Sequence, residues 1–189
     1  MNTETHSGHP EEANVSTETH SGRRLDTPLG PFALAATEAG LSHCLPTDAP
    51  TLPPLAAEPL AEPDRAARAH LEAAARALGA YFAGEKDPWQ GLELAPEGSS
   101  FQRRVWAALR RIPYGQTLSY RDLARSAGHP RAARAVGQAN HHNPLAILVP
   151  CHRVIAADGS LGGYAGGLER KRWLLEHEGA LPRPLFTTN

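Results

Sequence analysis

Residues 119–139 read SYRDLARSAGHPRAARAVGQA, and this stretch decides the fold of the second half of the chain. Ser119, followed three residues later by Asp122, is a capping-box pattern that predicts the start of a short helix. Gly128-His129-Pro130 interrupts that helix, and a second one is predicted over Arg131–Ala139. Two short helices around a glycine-containing break are typical of a helix-turn-helix unit.

The second of these helices carries little bulk and two arginines. Arg131, Arg134 and Gln138 follow an i, i+3, i+7 spacing, which puts them on one helical face. Alanine and glycine beside them allow the backbone to approach another surface closely, and arginine suits phosphates and base edges. An ordinary packed, alanine-rich helix is the alternative, but the pattern favours a recognition helix.

The segments around this unit predict further short elements. Ser99 or Ser100 caps a helix through Arg111, which Ile112-Pro113-Tyr114-Gly115 ends. Toward the C-terminus we expect a buried strand at Leu145–Val149, a short strand at Val154-Ile155, a turn at Asp158-Gly159, and a closing helix over Leu168–Glu178.

The first half has a different character. A polar tail, residues 1–22, contains TETHSG twice and is too poor in apolar residues to fold; its histidines could bind metal only weakly. Leu25–Leu45 predicts a β-hairpin that contains Cys44 as a small buried or half-buried side chain. A proline-rich loop over Pro46–Pro63 precedes a helix capped by Asp64, and that helix runs to Phe82.

Charge changes sign at the connection Asp87–Gly98, which is the expected domain boundary. Residues 1–96 hold 6 Lys+Arg and 14 Asp+Glu, net −8, whereas residues 97–189 hold 13 and 6, net +7. Twelve of those thirteen cations are arginine. The basic half indicates either an anionic partner or a solvated basic surface, and charge alone does not separate the two.

Several classes of protein are disfavoured. The polar N-terminus has no apolar stretch that resembles a signal peptide or a membrane span. The two cysteines, Cys44 and Cys151, are too few for a disulfide framework, so we expect a reducing cytoplasm. Neither GxGxxG nor GxxxxGK occurs, so the sequence supports no dinucleotide or P-loop site. His141-His142 lack suitably spaced further ligands, so no metal site is predicted.

The tetrapeptide Pro150-Cys151-His152-Arg153 follows the predicted strand and carries the chemistry. His152 and Arg153 beside the cysteine would create an electropositive setting that favours the nucleophilic thiolate. A buried structural cysteine is the competing interpretation, and the neighbours alone leave the two in balance. Glu178, at the end of the last predicted helix, could orient His152 if the fold brings them together.

Pro150-Cys151-His152-Arg153-Val154, with Arg134-Ala135-Val136-Gly137 and Asn143-Pro144 before it and Gly163–Leu168 after it, resembles the O-6-alkylguanine-DNA alkyltransferases, or methylated-DNA–protein-cysteine methyltransferases. The resemblance covers roughly Thr27 to Gly179. It implies a two-domain α/β (α+β) protein: a ribonuclease-H-like domain over residues 23–96, with its linker, and a winged-helix DNA-binding domain over residues 97–189.

The resemblance also implies roles for individual residues. Cys151 would accept the methyl group of O-6-methylguanine irreversibly, and O-4-methylthymine is an expected second substrate. His152 and Glu178 resemble a relay that deprotonates the thiol through a water. Tyr120 resembles the donor to the departing guanine, and Arg134 the arginine that replaces the flipped nucleotide in the stack. Arg131 and Gln138 would contact DNA, and the pocket and its supports would comprise Asn143, Pro150, Arg153, Val154, Tyr164 and Ala165.

These features imply double-stranded DNA carrying alkylated guanine as the partner, with no cofactor, no metal, no membrane and no obligate protein partner. Ala165 stands where some relatives have serine, so a hydroxyl contact to the base is lost while the backbone N–H remains. The main alternative is a winged-helix or lesion-recognition protein that binds DNA without repairing it; relatives of the latter kind lack the cysteine. A cysteine hydrolase is a second alternative, but adjacent Cys151-His152 offers no obvious oxyanion hole.

Overall fold

The computed structural model describes residues 21–49 and 65–182. The chain begins with an antiparallel sheet in the order β1 (Ser21–Thr27), β2 (Gly30–Thr37) and β3 (Gly40–Pro46). Helix α1 (Arg65–Phe82) packs against all three strands and buries Leu71, Leu78 and Tyr81. At the β2–β3 turn, a Cβ on Gly40 would lie 2.5 Å from the Glu93 carbonyl oxygen, so only glycine fits there.

The predicted hairpin forms as β2 and β3, but the sheet has a third strand. Ser21 and Gly22, placed in the polar tail by the sequence, belong to β1 and pair with Ala36 and Ala35. Pairing with β2 satisfies their backbone groups, so strand formation there does not depend on apolar side chains. The first TETHSG repeat, all but the last two residues of the second, most of the proline-rich loop and the Asp64 cap lie outside the described residues.

The second half is built from short helices around a two-stranded sheet. Helix α2 (Ser100–Leu109) begins with the predicted cap: Ser99 Oγ accepts from Gln102 N, and Gln102 Oε1 accepts from Ser99 N. The remaining elements are β4 (Leu118–Ser119), α3 (Tyr120–Ser126), α4 (Ala133–His141), β5 (Val154–Ile155) and α5 (Leu168–His177). Strands β4 and β5 pair in parallel, and α2, α3 and α4 pack on one another.

Helix α4 begins two residues later than predicted. Arg131 lies in a turn in which Ala132 N donates to His129 O, and Ala132 has φ −108° and ψ 32°, outside the helical range. Arg134 and Gln138 therefore share the exposed face of α4, whereas Arg131 precedes it. The turn over residues 129–132 explains the shift, because its closing residue, Ala132, is outside the helical conformation and the helix can begin only after it.

The predicted strand Leu145–Val149 was wrong in all but its first residues. Cys44, in β3, donates to Pro144 O and accepts from Ala146 N, both at 2.8 Å, so only Leu145 bridges to the sheet. The chain then turns sharply, with Val149 N donating to Leu145 O at 2.8 Å. Ile147 has a φ of +74°, which a β-branched residue rarely adopts. Apolar content identified a buried segment here but not its conformation.

One continuous apolar core joins the two halves of the described chain. It includes side chains of the first sheet, α1, α2 and the segment before Cys151. The Trp106 indole N–H donates to Ala139 O at 2.9 Å and ties α2 to α4. No helix in the described part of the chain is long and apolar enough to cross a bilayer.

Candidate active site around Cys151

Cys151 lies at a cavity of about 320 Å³ between the first sheet and the helical half. It begins a one-turn 3-10 helix, Cys151–Arg153, and is 5% exposed. Besides Cys151, the described lining comes from five places: the end of β3 with the turn after it, Tyr120, helix α4 with Asn143, Ala146, and the glycine-rich loop 163–166. The cavity is mainly apolar with a few polar groups, which is the usual character of a small-ligand site.

Asn143 holds the thiol in place. Its Nδ2 donates to Val149 O at 2.8 Å and to Cys151 Sγ at 3.1 Å, while its Oδ1 accepts from Leu145 N at 3.0 Å. The side chain thus closes the tight turn around Ile147 and points a hydrogen-bond donor at the sulfur. Because the amide is buried and uses both ends, it fixes the orientation of the turn.

Burial raises the pKa of the Cys151 thiol, while the Asn143 hydrogen bond, the Lys171 charge and the Tyr164 hydroxyl partly offset that rise. The resting group is therefore a protonated thiol, and a base must remove its proton. Burial thus outweighs the electropositive setting expected from His152 and Arg153. The Arg153 guanidinium binds Glu178, Asp87 and Ile112 O instead.

His152 is fully buried beside the cysteine and is oriented by Glu178. Its Nε2 lies 2.8 Å from Glu178 Oε1, so the nitrogen that faces the carboxylate carries the proton. The other nitrogen, Nδ1, is buried and has no hydrogen-bond partner among the described residues. Burial lowers the pKa of His152, although Glu178 opposes the change, so the ring is a neutral base with a free lone pair.

Glu178 collects hydrogen bonds from several elements. Oε1 accepts from His152, from the Tyr81 hydroxyl at 2.8 Å and from Arg153 Nη2 at 3.0 Å; Oε2 accepts from Arg153 Nε at 2.8 Å. Burial alone would raise the pKa of the carboxyl, but His152 and Arg153 outweigh it and hold the pKa at about 2. Arg153 also binds Asp87 at 2.6 Å and Ile112 O at 2.6 Å.

Tyr120 and Tyr164 reach the cavity from opposite parts of the fold. Tyr120, the first residue of α3, directs its hydroxyl toward Gly163 O at 3.4 Å, and burial raises its pKa, with a further contribution from Cys151. Its ring lies against Gly162, where a Cβ would come within 3.3 Å of Cε2. Tyr164 hydrogen-bonds Cys151, and burial raises the pKa of its hydroxyl well above the ordinary value.

The other predicted site residues divide into three groups. Ala165 and Gln138 line the cavity, and Arg131 and Arg134 are exposed on or before α4. Pro150 and Val154 are buried away from the cavity; Val154 pairs with Leu118 in the small sheet. These two residues, like Arg153, therefore support the site without lining the cavity.

Two residues of the site were missed by sequence reasoning. Lys171 is fully buried, donates to Val154 O and Gly163 O, and interacts electrostatically with Cys151; burial lowers its pKa to about 8. Its position three and four residues before the buried Leu174 and Leu175 was the available signal. Tyr81 comes from α1, and nothing in its sequence surroundings indicates Glu178 as a partner.

Within residues 21–49 and 65–182, no cluster of three or more His, Cys, Asp or Glu side chains is placed to hold a metal ion. His142 binds Gln138 O within its own helix, and His141 lines the cavity. Cys44 is fully buried in β3, one of the two expected states, and burial raises the pKa of its thiol. Cys151 is therefore the cysteine that a ligand in the cavity can reach.

Such a fold and site define a protein with a cysteine nucleophile that works from a small-ligand cavity. The family model described as the DNA-binding domain of 6-O-methylguanine DNA methyltransferase matches residues 100–180. A methylated-DNA–protein-cysteine methyltransferase of Methanosarcina barkeri is 46% identical over 154 residues, covering 82% of this chain and 94% of the relative. The chain belongs to the methylated-DNA–protein-cysteine methyltransferase family.

Solved structures agree with this membership. The crystal structure of Mycobacterium tuberculosis OGT in complex with DNA matches with a TM-score of 0.73 and 43% identity, covering 85% of this chain and 93% of that one. An O6-methylguanine DNA methyltransferase from Methanococcus jannaschii matches with a TM-score of 0.59 and 27% identity, covering 88% and 98%. The part of the chain that the structure describes shares its mixed α/β fold, with small sheets and five α-helices, with these proteins.

Proposed function

We propose that the protein repairs O-6-methylguanine in double-stranded DNA by transferring the methyl group once, irreversibly, to Cys151. The observation that carries this proposal is a pairing of neighbours: the buried Cys151 thiol lines the cavity, and the adjacent His152 has a buried Nδ1 with no hydrogen-bond partner among the described residues. Family membership supports the same reaction. O-4-methylthymine, whose methyl group is also bound to an exocyclic oxygen of the ring, is the second substrate.

The thiol proton leaves first. Nδ1 of His152 takes it through a bridging water, while Nε2 remains bound to Glu178 at 2.8 Å. The imidazolium that forms is stabilised by the Glu178 carboxylate, whose low pKa keeps it ionised. Lys171, with a charge close to Cys151, stabilises the thiolate.

The sulfur then attacks the methyl carbon. A carbon–sulfur bond forms as the carbon–oxygen bond to guanine breaks, and the electron pair stays on the base. Tyr120 donates its hydroxyl proton or a hydrogen bond to the guanine ring, which neutralises the developing charge. The products are unmodified guanine and S-methylcysteine, a thioether without an easy leaving group, so each molecule acts once.

Delivery of the base requires that it leave the duplex, because stacked base pairs shield the methyl carbon from a fixed sulfur. The exposed Arg134 on α4 fills the vacated space, and Arg131 and Gln138 contact the DNA beside it. The arrangement of α3, α4 and the β4–β5 pair supports a winged helix over residues 97–189, entering the minor groove. The ribonuclease-H-like domain with its linker then extends to residue 96 and includes Ser21 and Gly22 of β1 in addition to the expected residues 23–96.

Mass spectrometry of the tryptic peptide Ala135–Arg153 tests the proposal. After the protein is mixed with duplex DNA carrying one O-6-methylguanine, the peptide should gain one methylene, in proportion to the lesion lost. Cys151→Ser should bind the DNA without repairing it, and Cys44→Ser should repair normally. Binding without change of lesion or peptide would instead identify a lesion-recognition protein, and sustained ester or peptide turnover would identify a hydrolase.

A further inference from the structure

Arg170, in the first turn of α5, joins two parts of the cavity lining. Its Nη1 donates to Gly166 O at 3.0 Å and to both carboxylate oxygens of Asp48 at 3.1 Å. Its Nη2 also donates to Asp48 Oδ2 at 3.1 Å, and its Nε donates to Leu29 O at 3.1 Å. One guanidinium thus binds the loop 163–166, the turn after β3 and the β1–β2 turn.

The two parts that it joins belong to distant regions of the chain. Gly166 and the neighbouring Ala165 line the cavity on one side of the contact. Pro46 and Ala49, which flank Asp48, line it on the other. Arg170 therefore fixes the distance between these two segments, and that distance sets the width of the cavity on this side. We call the contact between the two segments the seam.

The ion pair between Arg170 and Asp48 can open at a moderate cost in free energy. The side chains of Arg170 and Asp48 are 24% and 66% exposed, so water competes for both. The planar fork of arginine still gives the contact a defined geometry, which a lysine would not reproduce. Among the described residues, every hydrogen bond of the Asp48 carboxylate goes to Arg170. Loss of either the Arg170 or the Asp48 side chain therefore lets the two segments at the seam separate, and it removes no side chain from the apolar core.

We propose that Arg170 and Asp48 form a latch that sets the size of the alkyl group accepted at Cys151. With the latch closed, the cavity suits a methyl group; a bulkier group, such as benzyl, enters when the seam widens. This inference rests on the proposed function. Arg170 is a positioning residue in this scheme, because it acts through the loop 163–166 and the Asp48 turn, not on the reacting atoms.

The test compares transfer rates from duplex DNA carrying O-6-methylguanine or O-6-benzylguanine. Asp48→Asn and Arg170→Met should leave the methyl rate within about twofold of wild type and raise the benzyl rate about threefold to fivefold, the range expected for losing an exposed ion pair. Arg170→Lys should lie between. Asp26→Asn, at a 91% exposed carboxylate in the same sheet, and Arg172→Met, at an exposed position on α5, are matched controls that should change neither rate.

Equal changes in both rates, or no change in their ratio, would overturn the latch and leave a structural role for Arg170. Hydrogen–deuterium exchange of the segment 163–168 gives a second, activity-independent measurement. Asp48→Asn should speed exchange there and leave α2 unchanged; unchanged exchange in 163–168 would also overturn the proposal. If the wild-type protein transfers no methyl group at all, the proposed function fails, while the exchange measurement still decides whether the latch exists.

Discussion

Replacement of Glu178 by glutamine tests the histidine relay and the stability of the site together. In the folded protein the carboxylate accepts from His152, Tyr81 and twice from Arg153, all within 3.0 Å. The glutamine amide group would face donors where an acceptor is required. Because this leaves buried charge on Arg153 without its full partner, we expect Glu178→Gln to lower the free energy of unfolding by about 3–5 kcal/mol at neutral pH.

The pKa of Glu178 provides a second estimate of the same quantity. A fall from the ordinary value of 4.5 to about 2 corresponds to about 3 kcal/mol of stability. Since the folded-state pKa is the lower one, this stability is complete above about pH 5 and is lost as the pH falls toward 2. Urea unfolding at pH 7 and pH 3 should therefore show a large gap between wild type and Glu178→Gln that shrinks by about 2 kcal/mol in acid.

The variant should also transfer the methyl group about 100-fold more slowly or worse, because His152 loses its fixed tautomer and the stabilisation of its charged form. Tyr81→Phe is the matched control: it removes one hydrogen bond to the same carboxylate but leaves His152 bound. It should cost about 1–2 kcal/mol of stability with little loss of rate. A folded Glu178→Gln protein that transfers methyl groups at the wild-type rate would refute the proposed relay.

Three further substitutions follow from the site. Tyr120→Phe should slow single-turnover transfer about 100-fold while binding lesion DNA normally in a titration; a wild-type rate would exclude the hydroxyl as donor. Arg134→Ala should slow repair in duplex DNA but not the reaction with free O-6-benzylguanine base, which needs no flipping; equal slowing of both would contradict its role. Asn143→Ala should lower the free energy of unfolding by about 2–3 kcal/mol in denaturant titration, because three buried hydrogen bonds are lost. An unchanged unfolding midpoint would show that the turn around Ile147 is stable without the Asn143 side chain.

Much of the second half could be predicted from local sequence. The α2 cap, the end of that helix near Ile112, helix α3 and the pair Val154-Ile155 appear where expected, because capping residues and glycine breaks act over a few positions. The same reasoning proposed Glu178 as a partner for His152, and the structure brings the two within 2.8 Å. These successes rest on short-range rules.

The failures involve contacts that local rules do not contain. Apolar spacing in the α1 sequence favours a stripe through Ala75 and Phe82, but Ala74 and Tyr81 are the residues buried with Leu78. A shift of the buried face by one residue does not change the predicted bounds of the helix. It does place Tyr81 off the expected buried face, and so the contact of Tyr81 with Glu178 cannot be predicted. Similarly, the conformation of Leu145–Val149 depends on the edge of β3 and on the Asn143 side chain, and apolar composition reports on neither.

The bridge from Cys44 to the segment before Cys151, together with the Tyr81–Glu178 hydrogen bond, has a consequence for the order of folding. The latter joins residues 97 positions apart, and such non-local contacts form late because closing a long loop costs entropy before any contact is gained. The segment before Cys151 is not fixed against the first sheet, and Glu178 lacks its hydrogen bond from Tyr81, until the two halves of the described chain have met. An incompletely folded molecule therefore lacks the complete site. Because each molecule reacts only once, this order of folding prevents reaction before the fold is complete.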